Sequence, residues 1–298
     1  MTAPTRVAAV TGASGYLGSR ISAGLEARGW RVLRLVRGPG TGDPWARHYD
    51  IREPVPARLL DPAQLLVHAA YDFSVVNRTD IWATNVEGTR RLLAAATGAR
   101  VGRTIVLSSM SAYPGTRQLY GQAKLAIEAL AFASGGCVVR PGLVYGDHPG
   151  GMVKALLRAT RLPVVPLVAG NGHQFLVHEE DLVAAIAAIA DADTVPSVPI
   201  GVAHSTALSF RDLLTAIAAR EGRECRFLPV PWRATYWSMR IAQALRVPLP
   251  LRADSLLGLV RPAPFVPNPQ VLEQLGVRLR ALGTDVPTQQ SGPRMRDR

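Results

Sequence analysis

From residue 5 to about 145, short β-branched, apolar runs alternate with Ala/Leu-rich stretches of helical character. The strand-like runs are "RVAAVT", "RVLRLV", "LLVHAA", "RTIVLSS" and "CVVRPG". Between them lie "GYLGSRISAGLEARG", "DIWATNVEGTRRLLAAAT" and "LYGQAKLAIEALAFA". Such alternation marks βαβ crossovers and a parallel sheet covered by helices on both faces. The predicted fold class is therefore α/β, a Rossmann-like doubly wound parallel sheet. After Gly146 the rhythm is less regular. Proline-rich pieces ("LPVVPL", "VPSVPI", "LPVPW", "RVPLPL", "RPAPFVPNP") separate helical segments near 151–161, 180–191, 209–221, 233–246 and 252–261. These are too interrupted for a second nucleotide-binding domain. The expected division is a dinucleotide-binding domain over 1–148, with contributions from about 175–205, a smaller substrate lobe over 149–284, and a flexible tail at 285–298.

Composition narrows the class. Of the 298 residues 48% are hydrophobic and 19% charged, as in a globular chain with a sizeable core. Cys137 and Cys225 are far apart, with no CxxC pattern, which argues against a disulfide framework or a zinc site. His68, His173 and His178 lack metal-ligand spacing, so no metal is expected. No apolar run reaches the length of a bilayer span. "MTAPTRVAAVTG" leads almost directly into a strand, without the regions of a secretory leader, and a cytoplasmic location is expected. The net charge of +12 invites a nucleic-acid reading. Its arginines are nevertheless spread along the whole chain and no nucleic-acid-binding motif accompanies them. A small-molecule, anionic ligand suits that field better than nucleic acid does.

"VTGASGYLG" spaces Gly12, Gly15 and Gly18 three apart, after a strand and at the start of a helix. Glycines there permit a tight turn and close approach of backbone amides to a pyrophosphate at the helix N-terminus. The adenosine ribose is normally read by Asp or Glu after the second strand. Here Arg37 holds that position, 19 residues past Gly18. A guanidinium matches a 2′-phosphate, which favours NADP(H) over NAD(H).

Only two lysines occur in the chain, Lys124 and Lys154, against 32 arginines. Lys124 follows Tyr120 by four residues on a predicted helix, so the two share a face. Ser109 ends a strand, where a parallel sheet opens its ligand crevice. An ammonium beside a phenol favours the phenolate and lowers its pKa, so Lys124 is expected to acidify Tyr120. Tyr120 would then exchange a proton with a carbonyl oxygen that Ser109 holds by a hydrogen bond.

Taken together these segments resemble the short-chain dehydrogenase/reductase superfamily, in its extended, epimerase/dehydratase-like branch. The resemblance covers most of residues 5–190. "TGASGYLG" is similar to the cofactor loop, which implicates Ser14, Tyr16 and Leu17 beside the three glycines. "YDI" is similar to the adenine-contacting turn (Asp50, Ile51), and "VHAA" to the segment along the cofactor ribose (Ala69, Ala70). "TNVEGTRRLLAAA" matches a family helix with Asn85 at its asparagine, "SSMSAYPG" with "YGQAK" matches the Ser/Tyr/Lys set, and "RPGLVYG" contributes Pro141 and Val144 near the nicotinamide. "FLVHEEDL" matches a further segment with Asp181. The family implies hydride transfer, a small C-terminal substrate lobe, and often a homodimer through the helices near 80–97 and 119–133. Tyr71, Ser111, Tyr113 and Trp232 are the expected substrate contacts.

Departures from the family pattern narrow the activity. Met110 and Ser111 follow Ser109 where dehydratases carry an Asp/Glu pair, and residues 171–180 hold no arginine for a nucleotide-sugar diphosphate. "PVPWRATYWSMRIAQAL" gathers Trp232, Tyr236, Trp237 and Met239, which either line an apolar pocket or pack in the core. A third reading, an interfacial helix on a membrane, would need a clean basic face opposite the aromatics. The expected function is an NADPH-dependent oxidoreductase that reduces a ketone or aldehyde on a small, fairly apolar metabolite. Two alternatives stay open: an NAD-dependent sugar epimerase, and a non-catalytic NADP-binding sensor or scaffold of the same fold.

Overall fold

The computed structural model describes residues 6–38, 42–147, 149–168, 172–245, 247 and 252–282. The tail expected at 285–298 lies outside them. In chain order, β1 (Val7–Thr11), α1 (Tyr16–Glu26), β2 (Arg31–Val36), β3 (Ala46–His48) and β4 (Leu65–His68) come first. A helical stretch follows, α2 (Arg78–Ile81), a π-helical turn (Trp82–Val86) and α3 (Glu87–Gly98). Then come β5 (Arg103–Leu107), α4 (Leu119–Ala133), β6 (Cys137–Pro141), β7 (Leu143–Tyr145), α5 (Gly151–Ala159), β8 (Val165–Leu167), β9 (His173–Gln174) and β10 (Leu176–His178). The chain continues through α6 (Glu179–Asp191), β11 (Pro199–Val202), β12 (Leu208–Ser209), α7 (Phe210–Ala219), β13 (Phe227–Pro229), α8 (Trp232–Ala244), α9 (Ala253–Val260) and α10 (Gln270–Gln274).

Seven strands form one parallel sheet in the order β11-β6-β5-β4-β1-β2-β3. The chain reverses direction across β1, which pairs with β2 on one side and β4 on the other. Strand tips at such a switch point leave a crevice, because the loops leaving β1 and β4 diverge to opposite faces. All five residues of β1 are buried, as are all four of β4, since helices cover both sides. On one face Ile21 and Leu25 of α1 meet Leu182 and Ile186 of α6. Burying each such side chain contributes roughly 1.5–3 kcal/mol. Gly24 lets α1 and α6 approach, since a Cβ there would stand 2.0 Å from Val183 Cγ1. On the other face Leu92 and Ala96 of α3 cover Leu33, Leu35 and Leu66.

A further core gathers Leu156, Val165, Leu176, Phe210, Leu213, Leu214 and Leu259. Three short ladders frame it, β7 with β10, β8 with β13 and β9 with β12. Their two- and three-residue strands carry no alternation long enough to read from sequence, and α10 is too short for a helical period. The π-helical turn is likewise absent from the sequence pattern.

Candidate active site

The crevice at the switch point starts from the glycine loop. Gly12 adopts φ +66°, and a Cβ on it would stand 3.1 Å from Ala70 Cα. A Cβ on Gly18 would stand 2.1 Å from the Gly12 carbonyl oxygen. The loop is thus packed to backbone thickness, leaving room at the N-terminus of α1 for an anionic group. Behind it Thr11 Oγ1 accepts the N–H groups of Ala69 and Ala70, both at 3.0 Å, and bonds His68 Nδ1 at 2.8 Å. With two donors already on it, the Thr11 hydroxyl gives its own proton to Nδ1. His68 Nε2 then donates to Thr89 Oγ1 (2.9 Å), which in turn donates to the Asn85 carbonyl (2.7 Å). Burial, with a smaller push from Lys124, lowers the His68 pKa to about 3, so this imidazole stays neutral. His68, which has no metal-ligand spacing, thus links β4 to Thr11 of β1 and to Thr89 of α3.

The crevice has a volume of about 560 Å³. Its walls include Gly12, Ser14, Gly15, Tyr16, Leu17 and Gly18 of the first loop, Arg37 after β2, Ile51, and Ala69 and Ala70 after β4. Tyr71, Ser109, Tyr120, Lys124, Pro141 and Val144 complete the side at the tips of β5 and β6. These donors and cradles fit a dinucleotide: glycine backbone for a pyrophosphate, Arg37 for the adenosine end, Lys124 and Tyr120 for the nicotinamide end.

Other expected residues stand elsewhere. Asn85 does not line the crevice. It is buried in the π-helical turn, where its amide brackets the Asp72 backbone, accepting from N–H (2.7 Å) and donating to C=O (3.2 Å). Asp50 caps its own turn by accepting the Arg52 N–H at 2.9 Å. The Ser111 N–H donates to Ser109 Oγ (3.1 Å), and Tyr113 donates to the Arg261 carbonyl (2.8 Å). Trp232 begins α8, between the guanidinium groups of Arg233 and Arg261. None of these five residues is in the crevice wall. The aromatic segment neither lines this crevice nor forms core, because α8 has no buried residue.

The electrostatics correct one expectation. Burial pushes the Tyr120 phenol up to about 12, and the hydrogen bond with Ser109 lowers it only in part. Burial outweighs any acidification by Lys124. The Nζ atom donates to the Leu107 carbonyl at 2.7 Å and lies 4.8 Å from the centre of the Tyr71 ring, against 5.9 Å for Tyr120. Its own pKa is lowered to about 8 by burial, with Glu128 opposing. Desolvation of the phenolate outweighs the nearby charge. Tyr71 and Phe73 pack against the Tyr120 ring at 5.0 and 5.7 Å, so three aromatic rings stand together in the crevice wall.

Three supports were invisible in the sequence. Asp254, at the start of α9, accepts the N–H groups of Leu119 (2.8 Å) and Tyr120 (3.2 Å) and so caps α4. Glu128, one turn beyond Lys124, takes two bonds from the Arg140 guanidinium (2.7 and 2.5 Å) and one from the Ser108 hydroxyl. Tyr16, which opens α1 after the glycine loop, donates to buried Glu179 (2.7 Å). Helical spacing marks Glu128 as facing the same way as Lys124, but the partners of all three acids lie on other elements of the fold. Among the described residues no group of three His, Cys, Asp or Glu side chains could hold a metal ion.

Comparison with known proteins agrees with this geometry. A profile of the NAD dependent epimerase/dehydratase family matches residues 8–201. A ceramide reductase of Caulobacter vibrioides is 25% identical over 237 residues, covering 76% of this chain and 74% of that protein. Among solved structures, MoeE5 in complex with UDP-glucose and NAD is 26% identical, with a TM-score of 0.66 over 76% of this chain and 86% of its own. The protein gox2253 shares the fold at 20% identity, with a TM-score of 0.71 over 93% of this chain and 94% of its own. With a switch-point crevice, a glycine loop and a Ser/Tyr/Lys wall in one chain, and a family profile matching 8–201, the protein belongs to the NAD-dependent epimerase/dehydratase family.

Proposed function

We propose that the protein is an NADPH-dependent oxidoreductase that reduces the ketone or aldehyde of a small, apolar metabolite. The observation that carries this reading is the presence of Ser109, Tyr120 and Lys124 together on one wall of the crevice, beside the aromatic rings of Tyr71 and Phe73. The likeness to a ceramide reductase supports an apolar carbonyl substrate. Arg37 supports NADPH, being exposed in the crevice wall and in no ion pair among the described residues.

A bound nicotinamide would supply the hydride to the carbonyl carbon. The protein's task is the proton. With a pKa of about 12, Tyr120 is fully protonated at neutral pH and serves as the donor to the carbonyl oxygen. Ser109 holds that oxygen and then bonds the phenolate left behind. Lys124, mostly protonated at pH 7, offsets the charge that develops on the phenol from within a water-poor wall. The same set run backwards oxidises an alcohol.

The competing reading is an NAD-dependent sugar epimerase, favoured by the likeness to MoeE5. Purified protein distinguishes the two: net NADPH oxidation with an apolar ketone or aldehyde supports the reductase, whereas tightly retained NAD without net cofactor consumption sinks it. Replacing Tyr120 by Phe abolishes turnover in either enzyme and leaves a non-catalytic NADP sensor unchanged. A homodimer through α2, α3 and α4 belongs to the same reading, and sedimentation velocity tests it.

A further inference from the structure

Among the described helices α8 alone has no buried residue. Its inward side, half-buried, carries Trp232, Thr235, Tyr236, Met239, Ala242 and Gln243 and packs on α9. At 100° per residue the outward side carries Ala234, Trp237, Ile241, Ala244 and Leu245. Trp237, Ile241 and Leu245, spaced four apart, are 64%, 61% and 72% exposed. Arg233 and Arg240, seven apart, run along one edge of that stripe. A surface helix of a soluble protein presents polar side chains to water. An apolar stripe edged by guanidinium groups is instead the arrangement of a helix lying in the plane of a bilayer surface.

Charge selects the occupant. From Pro231 to Arg261 the chain carries five arginines, one aspartate and no other charged residue, a net +4. That aspartate, Asp254, is directed at the N-terminus of α4, where its carboxylate holds two backbone N–H groups. Arg233 lies over the Trp232 ring at 5.6 Å, and the charge of Arg240 lowers the Asp254 pKa without an ion-pair contact. Neither forms an ion pair among the described residues.

We propose that α8 docks the protein on a bilayer bearing anionic lipid. Trp237, Ile241 and Leu245 enter the boundary between headgroups and acyl chains, and Arg233 and Arg240 stay among the headgroup phosphates. The α8–α9 hairpin is also tied to the crevice. Arg252 donates to the Val75 carbonyl (3.2 Å), next to exposed Val76 and two residues from crevice-lining Phe73. Docking therefore brings the membrane to an element that shares the crevice's rim. The substrate class that follows, a bilayer-soluble carbonyl compound, rests on the reductase reading; the docking itself does not.

The test is co-sedimentation of the full chain with phosphatidylcholine vesicles, with and without phosphatidylglycerol, in the absence of cofactor and substrate. Wild type is expected to partition onto the phosphatidylglycerol vesicles. The variant Trp237→Ser/Ile241→Ser/Leu245→Ser should partition at least about tenfold less, and Arg233→Gln/Arg240→Gln should lose about as much together with its salt dependence. All five positions are exposed, so both variants should keep the wild-type melting curve. A wild type that stays in the supernatant with both vesicle types overturns the proposal, as does a triple variant that sediments like wild type. Sedimentation velocity without lipid reads the rival occupant: a wild-type dimer that the triple variant reduces to monomer, with no vesicle binding, assigns the stripe to a second copy and overturns it as well. Because no turnover is measured, failure here leaves the reductase reading intact, and absence of NADPH turnover leaves docking intact.

Discussion

Replacing Lys124 by Met should separate stability from activity. Lys124 is 4% exposed and carries its charge in a wall of protein atoms, which brings its pKa to about 8 from the ordinary 10.5. That gap corresponds to ~3 kcal/mol by which the fold disfavours the charged form. The sign follows from proton binding: between about 8 and 10.5 the unfolded chain holds the proton and the native protein does not, so stability rises with pH across that window. The lysine's stabilising share is complete above 10.5 and lost as pH falls through about 8; at pH 7 the charged group weighs against folding. Methionine removes that burden and keeps most of the volume. It also leaves the Leu107 carbonyl without the 2.7 Å bond from Nζ, a loss of about 1–3 kcal/mol. The net change in stability at pH 7 should therefore lie between zero and a gain of ~2 kcal/mol, with Tm unchanged or higher by a few degrees. Carbonyl reduction should nevertheless fall by about 10²–10⁴, because the charge left on Tyr120 loses its counter-ion. Thermal denaturation at pH 7 and at pH 9.5, beside steady-state NADPH oxidation, reads both effects. The wild-type deficit relative to the variant should shrink at the higher pH. A variant that melts well below wild type, or that retains wild-type turnover, refutes the reasoning.

Arg37→Asp should weaken NADPH binding by about 10–100-fold, the worth of a charge-assisted hydrogen-bond pair, and raise the relative affinity for NADH, as fluorescence titration with each cofactor can establish. Asp254→Ala removes the acceptor for the Leu119 and Tyr120 N–H groups and should lower stability by about 1–2 kcal/mol; because it positions Tyr120 without touching substrate, kcat should fall more than KM rises, and an unchanged kcat would rule out that role. Glu128→Gln leaves the buried Arg140 guanidinium without its counter-charge and should lower stability by about 3–5 kcal/mol in urea denaturation. The double change Glu128→Gln/Arg140→Met should recover part of that loss, whereas additive losses would mean that the two side chains act independently.

Much of the crevice wall was legible because its parts are short-range. The Gly12/Gly15/Gly18 spacing is set by a single turn of backbone, and the four-residue offset of Tyr120 and Lys124 is one turn of one helix. Arg37 follows from counting along one βα unit. Residues assigned by position in a motif fared differently when the motif's outcome depended on a partner. Asn85 sits at the family's asparagine, yet it is buried within the π-helical turn with its amide bonded to the Asp72 backbone.

The local order of apolar and polar residues, together with the glycine spacing, was enough to specify a parallel α/β sheet with a switch-point crevice, since periodicity and turn chemistry act over a few residues. Only tertiary packing decided the state of the groups in that crevice. The phenol's pKa depends on how much water Tyr71, Phe73 and the strand tips exclude, and the capping of α4 depends on a carboxylate from 135 residues away. The same holds for α8: its composition suits pocket, core or interface equally, and the choice was made by which side the neighbouring helix α9 left uncovered. Burial and long-range pairing are properties of the assembled chain, and desolvation, which they control, is the larger energy at this site.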